Sequence, residues 1–173
     1  IPQPHSDEEF KSCGRPKYFF CITSGLLDSM LANYTPMLKK RENVLVPERG
    51  LMVYTQNLKN LFKGCITIIG GVEATIRRFT HFDYKENILR RGILNDTKAD
   101  LLLFGTAERA ILTILERMQK TEISETISFE KIKPQLNLNT IEGIAYRVKK
   151  DEIPKESRKL PSYEDCVNDK AKF

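Results

Sequence analysis

Three short apolar runs, each followed by a glycine and then by a helical pattern, restrict this chain to few architectures. Residues 17–22 read KYFFCI, residues 65–69 read CITII before Gly70-Gly71, and residues 100–104 read DLLLF before Gly105. The runs are continuous rather than alternating, which suits strands covered on both faces, as in a parallel sheet. Strand, glycine and helix in repetition predict an α/β fold: a doubly wound, mainly parallel sheet of flavodoxin-like type. The connections are long enough for right-handed parallel crossovers.

The helical patterns differ in strength. Ser24-Gly25 opens the run LLDSMLAN, with Ser24 as the expected N-cap. Leu51, Tyr54, Leu58, Leu61 and Phe62 fall near one face of a second helix over residues 51–62. Ala107, Ala110, Ile111, Ile114, Leu115 and Met118 make one apolar stripe of a 3.6-residue helix, with Thr106 as expected N-cap and Glu108 in the first turn. Residues 79–100 are too long and too charged for an ordinary βα loop, and a short helix is expected over 85–91. Residues 140–148 alternate enough for an edge strand. Residues 121–139 are polar and residues 149–159 are Lys/Glu-rich with Pro154, a surface hairpin or linker. On this reading residues 1–148 are the folded domain and residues 149–173 are a linker and extended exit segment.

A length of 173 residues suits one domain with a sizeable core. The net charge of +5 permits an anionic partner without demanding one. No apolar run approaches the roughly 18 residues of a membrane span, so no membrane segment is expected. No secretory leader is visible, so a cytoplasmic location is expected, and Ile1 in place of Met suggests removal of something upstream. Cys13, Cys21, Cys65 and Cys166 form no C-x-x-C, and the only histidines are His5 and His81. Zinc ribbons, zinc fingers and local iron–sulfur motifs are thereby excluded. The cysteines are expected as free thiols, with Cys21 and Cys65 as small core residues inside strands.

The stretch IIGGVEATIRRFTHFDY, residues 68–84, concentrates the chemistry. Gly70 and Gly71 directly after a strand allow a sharp turn or a close backbone approach at the sheet's carboxyl edge, where open α/β sheets bind ligands. Glu73, Arg77, Arg78, His81, Asp83 and Tyr84 bring both charge signs, an imidazole and a phenol to that edge. Ser24, Gly25 and Asp28 sit at one neighbouring strand-to-helix edge, and Gly105 with Glu108 at another. These residues are the candidates for ligand or domain contact. Paired arginines can grip carboxylates or phosphates; salt bridges from them to Glu73 or Asp83 are the structural alternative. The glycines match neither G-x-G-x-x-G nor a P-loop.

The run GGVEATIRRFTHFDY resembles the corresponding stretch of YgiQ-type radical SAM proteins. SGLLDSMLANYTP from Ser24, ILNDTKADLLLFGTAERAI from Ile93 and LPSYEDCVNDKAKF at the end agree in order. The resemblance implies the N-terminal, cobalamin-binding-like region of such an enzyme. It also implies a radical SAM barrel in the same polypeptide, with S-adenosylmethionine and a [4Fe–4S] cluster on C-x-x-x-C-x-x-C. That motif is absent here, so no catalytic residue, cluster ligand or metal site is assigned to this chain, and its expected role is accessory. Cobalamin gains little support, because D-x-H-x-x-G is also absent. The resemblance implies a further strand and helix upstream of the region matched by Ile1 to Lys17, so the sheet is expected to be incomplete at its N-terminal strand. It also implies a polypeptide that extends in both directions.

A stand-alone module binding nucleic acid or a small ligand is the alternative. The basic pairs, such as Arg77-Arg78 and Lys149-Lys150, are interleaved with acids and accompany no RNA-binding aromatic motif, which disfavours nucleic acid. Nothing supports a hydrolase: there is no G-x-S-x-G and no Cys–His pair.

Overall fold

The computed structural model describes residues 3–121 and 128–173. The first helix, α1 (Asp7–Lys11), begins at Ser6, whose hydroxyl accepts the Glu9 N–H, and three acids fill its first turn. Then follow β1 (Phe20–Ile22), α2 (Ser29–Asn33), α3 (Gly50–Leu61), β2 (Thr67–Ile69) and α4 (Gly71–Ile76). A hairpin of β3 (His81–Asp83) and β4 (Ile88–Arg90) precedes α5 (Ile93–Thr97), β5 (Leu101–Leu103) and α6 (Glu108–Gln119). The last elements are α7 (Phe129–Ile132), two 3-10 turns, β6 (Ile144–Tyr146), a third 3-10 turn, α8 (Tyr163–Asn168) and a closing 3-10 turn.

The main sheet has the order β1-β2-β5-β6. β1, β2 and β5 run parallel, and β6 pairs antiparallel to β5 at one edge. This is the α/β, mainly parallel arrangement that the three glycine-stopped runs imply. Register explains why those runs are continuous. Ile22, Ile69 and Leu102 form one cross-sheet row, and Cys21, Ile68 and Leu101 form the row facing the other way. The first row packs on Phe10 of α1, on Leu51, Tyr54 and Leu58 of α3, and on Ile93 and Leu94 of α5. On the other face Ile68 and Leu101 pack on Ala110, Ile114 and Met118 of α6 and on Phe129 and Ile132 of α7. Each such buried side chain contributes about 1.5–3 kcal/mol of transfer free energy. Asp100 ties the lower ends together: its Oδ2 accepts the Thr67 N–H at 2.8 Å, the Thr67 hydroxyl at 2.9 Å and Lys59 Nζ at 3.3 Å.

Several local expectations are corrected. The helix expected from Leu26 starts at Ser29, capped by Asp28 and not by Ser24, because Gly25 adopts φ +106° and turns the chain first. The helix after β5 starts at Glu108, with Ala107 and not Thr106 at its N-cap and no capping side chain. The helix expected over residues 85–91 is the turn and second strand of the β3–β4 hairpin, with Asn87 at φ +56°. α4 follows β2 directly, with Gly71 as its first residue. Cys65 is buried but precedes β2, whereas Cys21 lies in β1 and is exposed. The segment expected to be extended after Leu160 contains α8, capped at Ser162 and packed against β4: Tyr163 Oη donates to the Leu89 carbonyl, and Arg91 pairs with Glu164 at 2.9 Å. Part of the polar stretch 121–139, namely 122–127, lies outside the described residues.

Candidate functional site

The carboxyl ends of β1 and β2 are pressed together. After β1, the Thr23 hydroxyl accepts the Gly25 N–H at 3.2 Å, and the Ser24 hydroxyl donates to the Leu27 carbonyl. After β2, Gly71 opens α4 at φ +84°, a backbone conformation that L side chains rarely adopt. A Cβ there would lie 2.4 Å from Thr23 Oγ1. Gly71 therefore allows a close approach between two loops of the same protein.

Below these loops three ties, two of them buried, join the α4–β3 region to the start of α2. Arg77 forks onto Asp28, with Nε to Oδ2 at 2.6 Å and Nη2 to Oδ1 at 2.8 Å. Asp28 Oδ1 also accepts the Met30 and Leu31 N–H groups as helix cap. Burial works against the Arg77 charge, but hydrogen bonding and attraction to Asp28 hold its pKa above the ordinary arginine value. Glu73, fully buried, accepts the Ser29 N–H at 3.1 Å. Tyr84 Oη donates to the Met30 carbonyl at 3.2 Å. Arg77 therefore pairs with Asp28, not with the Glu73 or Asp83 considered from the sequence.

The remaining candidates separate from this cluster. Arg78 turns away, donating to the Thr75 carbonyl and lying over the rings of Phe79 and Phe104. His81 Nδ1 lies 3.2 Å from the Phe79 carbonyl oxygen, and burial pushes the imidazole pKa down. Asp83 is buried in the hairpin, where Arg49 at 2.7 Å and Arg90 at 2.5 Å outweigh its burial and hold its carboxyl far below the usual range. Gly105, at φ +70°, and Glu108 line a separate cleft of about 670 Å³ with Thr106, Arg109, Thr140 and Glu142. The structure thus gathers Ser24, Gly25, Asp28, Gly70, Gly71, Glu73, Arg77 and Tyr84. Arg78, His81 and Asp83 fall at its flank, and Gly105 with Glu108 lie apart.

Sequence reasoning missed Thr23, Ser29, Arg49 and the pair Glu48–Lys85. Ser29 both donates its N–H to Glu73 and accepts the Gly50 N–H on its hydroxyl at 2.9 Å. Lys85 Nζ sits 2.5 Å from Glu48, and Tyr34 donates to the same carboxylate. No local pattern announces such contacts, which span tens of residues. Exposed apolar side chains flank the buried network. Leu26 is 93% exposed, and Leu27, Val72, Ile76 and Phe79 are also exposed. Contact of Gly71 with the Thr23–Gly25 turn sets the two apolar groups side by side.

The donor set does not fit an iron–sulfur cluster. Cys13 and Cys21 are exposed, Cys65 Sγ faces the Leu58 carbonyl, and Cys166 Sγ faces that of Lys172. Among the described residues no three His, Cys, Asp or Glu side chains converge on a metal site, and none of their helices is long and apolar enough to cross a membrane.

The fold and the edge together define a mainly parallel α/β domain whose carboxyl edge is tied by buried hydrogen bonds. The chain belongs to the radical SAM N-terminal family, which matches residues 1–173. It is similar to a UPF0313 protein of Methanocaldococcus jannaschii, 37% identical over 174 residues that cover 96% of this chain and 28% of the relative. A UPF0313 protein of Geobacter sulfurreducens is 42% identical over 74% of this chain and 23% of its own length. One from Thermotoga neapolitana is 34% identical over the whole chain and 30% of its own length. The chain therefore spans less than a third of the curated relatives it matches. No solved structure matches it.

Proposed function

We propose that this domain is the non-catalytic, N-terminal accessory part of a radical SAM enzyme, and that its carboxyl edge docks the catalytic domain of the same polypeptide. The observation that carries this reading is the set of exposed apolar side chains Leu26, Leu27, Val72, Ile76 and Phe79 beside a largely buried ion pair. Contiguous exposed apolar surface marks an interaction site, and the buried fork beside it keeps the two contributing loops in fixed relation. The [4Fe–4S] cluster and S-adenosylmethionine belong, on this reading, to that second domain, which would supply the reductive cleavage. The role of this chain is to bind and orient it.

The test is made in the complete natural polypeptide. Replacing Leu26, Val72 and Ile76 together by Asp leaves the domain folded, because all three side chains are exposed. It is expected to open the polypeptide to protease between domains and to lower 5′-deoxyadenosine formation at least tenfold. Unchanged protease resistance and unchanged turnover would sink the proposal.

A further inference from the structure

We propose that the cleft between the neck of the β3–β4 hairpin and the start of α8 binds a small phosphomonoester with a flat apolar group, gripped by Arg78 and Arg91. The proposal needs neither the radical chemistry nor the docking of a second domain.

Two consecutive arginine pairs, Arg77-Arg78 and Arg90-Arg91, stand at the two ends of the hairpin. The fold uses one member of each pair internally. Arg77 forks onto buried Asp28, and Arg90 reaches buried Asp83 at 2.5 Å. The other two members line one cleft. The neck of the hairpin brings them together. Ile93 N donates to the Arg77 carbonyl at 2.8 Å, and a Cβ on Gly92 would lie 2.5 Å from the Arg78 carbonyl oxygen. The chain entering the hairpin and the chain leaving it therefore run in contact.

The cleft measures about 730 Å³, and its lining includes Arg78, Phe79, Arg91, Leu160, Glu164 and Lys172. Small-molecule sites span roughly 300–1,000 Å³, so the space suits more than a bare ion. Three cations face the single carboxylate of Glu164, which leaves two positive charges in surplus. A phosphomonoester carries about −1.5 to −2 at neutral pH and matches that surplus, whereas a carboxylate supplies one charge. Phe79 and Leu160 are half-exposed and give the cations an apolar wall. A dianion bearing a flat apolar group satisfies both parts of the lining.

The condition of each cation agrees. Arg78 is half-buried, yet among the described residues it makes no ion pair, and its hydrogen bond goes to the Thr75 carbonyl. Arg117, equally half-buried, donates instead to two carbonyls and to the Thr140 hydroxyl. A guanidinium has about five N–H donors, so Arg78 has donors to spare. Its Cζ lies 4.6 Å from the centre of the Phe79 ring and 5.1 Å from that of Phe104. Stacking of this kind fixes the guanidinium plane and leaves its edge to an oxyanion. Arg91 is stacked likewise, with Cζ 5.2 Å from the centre of the Tyr163 ring. Its ion pair with Glu164 is exposed on both sides. Such pairs contribute about 0–1 kcal/mol, so a phosphate group displaces Glu164 at little cost. Lys172 Nζ stands 3.9 Å from Asp165, also an exposed pair.

Titration calorimetry on the complete natural polypeptide, with phenyl phosphate as the probe, tests the proposal. Phenyl phosphate carries no adenosine, so a site for S-adenosylmethionine elsewhere in the polypeptide does not enter the reading. It is expected to bind about tenfold tighter than benzoate, which has the same ring and one charge, and about fivefold tighter than inorganic phosphate, which has no ring. Arg91→Ala removes an exposed side chain and is expected to weaken phenyl phosphate about fivefold at an unchanged unfolding temperature, with Arg91→Lys in between. Glu164→Gln removes the competing carboxylate and is expected to tighten binding about threefold, a gain that a purely structural Arg91–Glu164 pair does not give. Arg78→Ala is expected to weaken binding about tenfold; where it also lowers the unfolding temperature, the Arg91 and Glu164 variants decide. Absence of saturable binding overturns the proposal. So does benzoate binding as tightly as phenyl phosphate, or affinity unchanged in both Arg91→Ala and Glu164→Gln. These variants leave Leu26, Val72 and Ile76 in place, so this proposal and the docking reading fail separately.

Discussion

Arg77 grips Asp28 as a fork, and the same Asp28 caps α2. One buried pair, 49 positions apart in sequence, thereby fixes the start of α2 and the end of α4 together. Arginine at this position fastens the two elements to each other.

Arg77→Met is expected to destabilise the protein by about 3–5 kcal/mol, because it strands a buried carboxylate. Arg77→Lys keeps the charge and loses the fork, so it recovers only part of that loss. Urea unfolding measures both. A loss below about 1 kcal/mol for Arg77→Met would show that the pair is not holding the two helices.

Gly71→Ala meets two obstacles, the φ of +84° and the Thr23 hydroxyl 2.4 Å from the new Cβ. Left-handed backbone costs a non-glycine residue about 1–2 kcal/mol, and the clash adds to it. Thr23→Ala in the Gly71→Ala background removes the clashing oxygen and is expected to restore stability to within about 1–2 kcal/mol of the parent. Thermal unfolding of the two single variants and the double variant reads this directly. Strict additivity of the two changes would contradict the contact.

His81 gives the protein a pH dependence of known sign. Burial lowers its folded pKa below the unfolded value of about 6.5. The unfolded state therefore binds the proton more readily, and stability falls as pH drops below about 6.5 toward the folded pKa. His81→Asn is expected to flatten the stability curve in that window. An unchanged slope between pH 5 and 6.5 would assign the effect elsewhere.

What the sequence made legible follows from range. The α3 and α6 stripes and the three glycine-stopped strands are local patterns, and each fell within a few residues of its place. The β3–β4 hairpin was hidden because its strands have three residues each and carry His81, Asp83 and Arg90, charges that mask alternation. Asn87 at the end of the turn was the available signal. The α2 cap falls on Asp28 rather than Ser24 because Gly25 turns the chain between them and the Arg77 fork holds Asp28, and neither is encoded in local spacing. Burial of Glu73 and the Arg49–Asp83 pair depend on strand order and crossover geometry, which one-dimensional spacing does not encode.

The docking of α8 on β4 has a mechanical consequence. A pull on Phe173 passes through α8 to Tyr163 and Glu164, and from there to Leu89 and Arg91 of the hairpin region. Asp83 hands the load to Arg49, the residue that opens α3. Tension from the C-terminal side thus reaches the helix beside β1 along a chain of side chains as well as along the backbone.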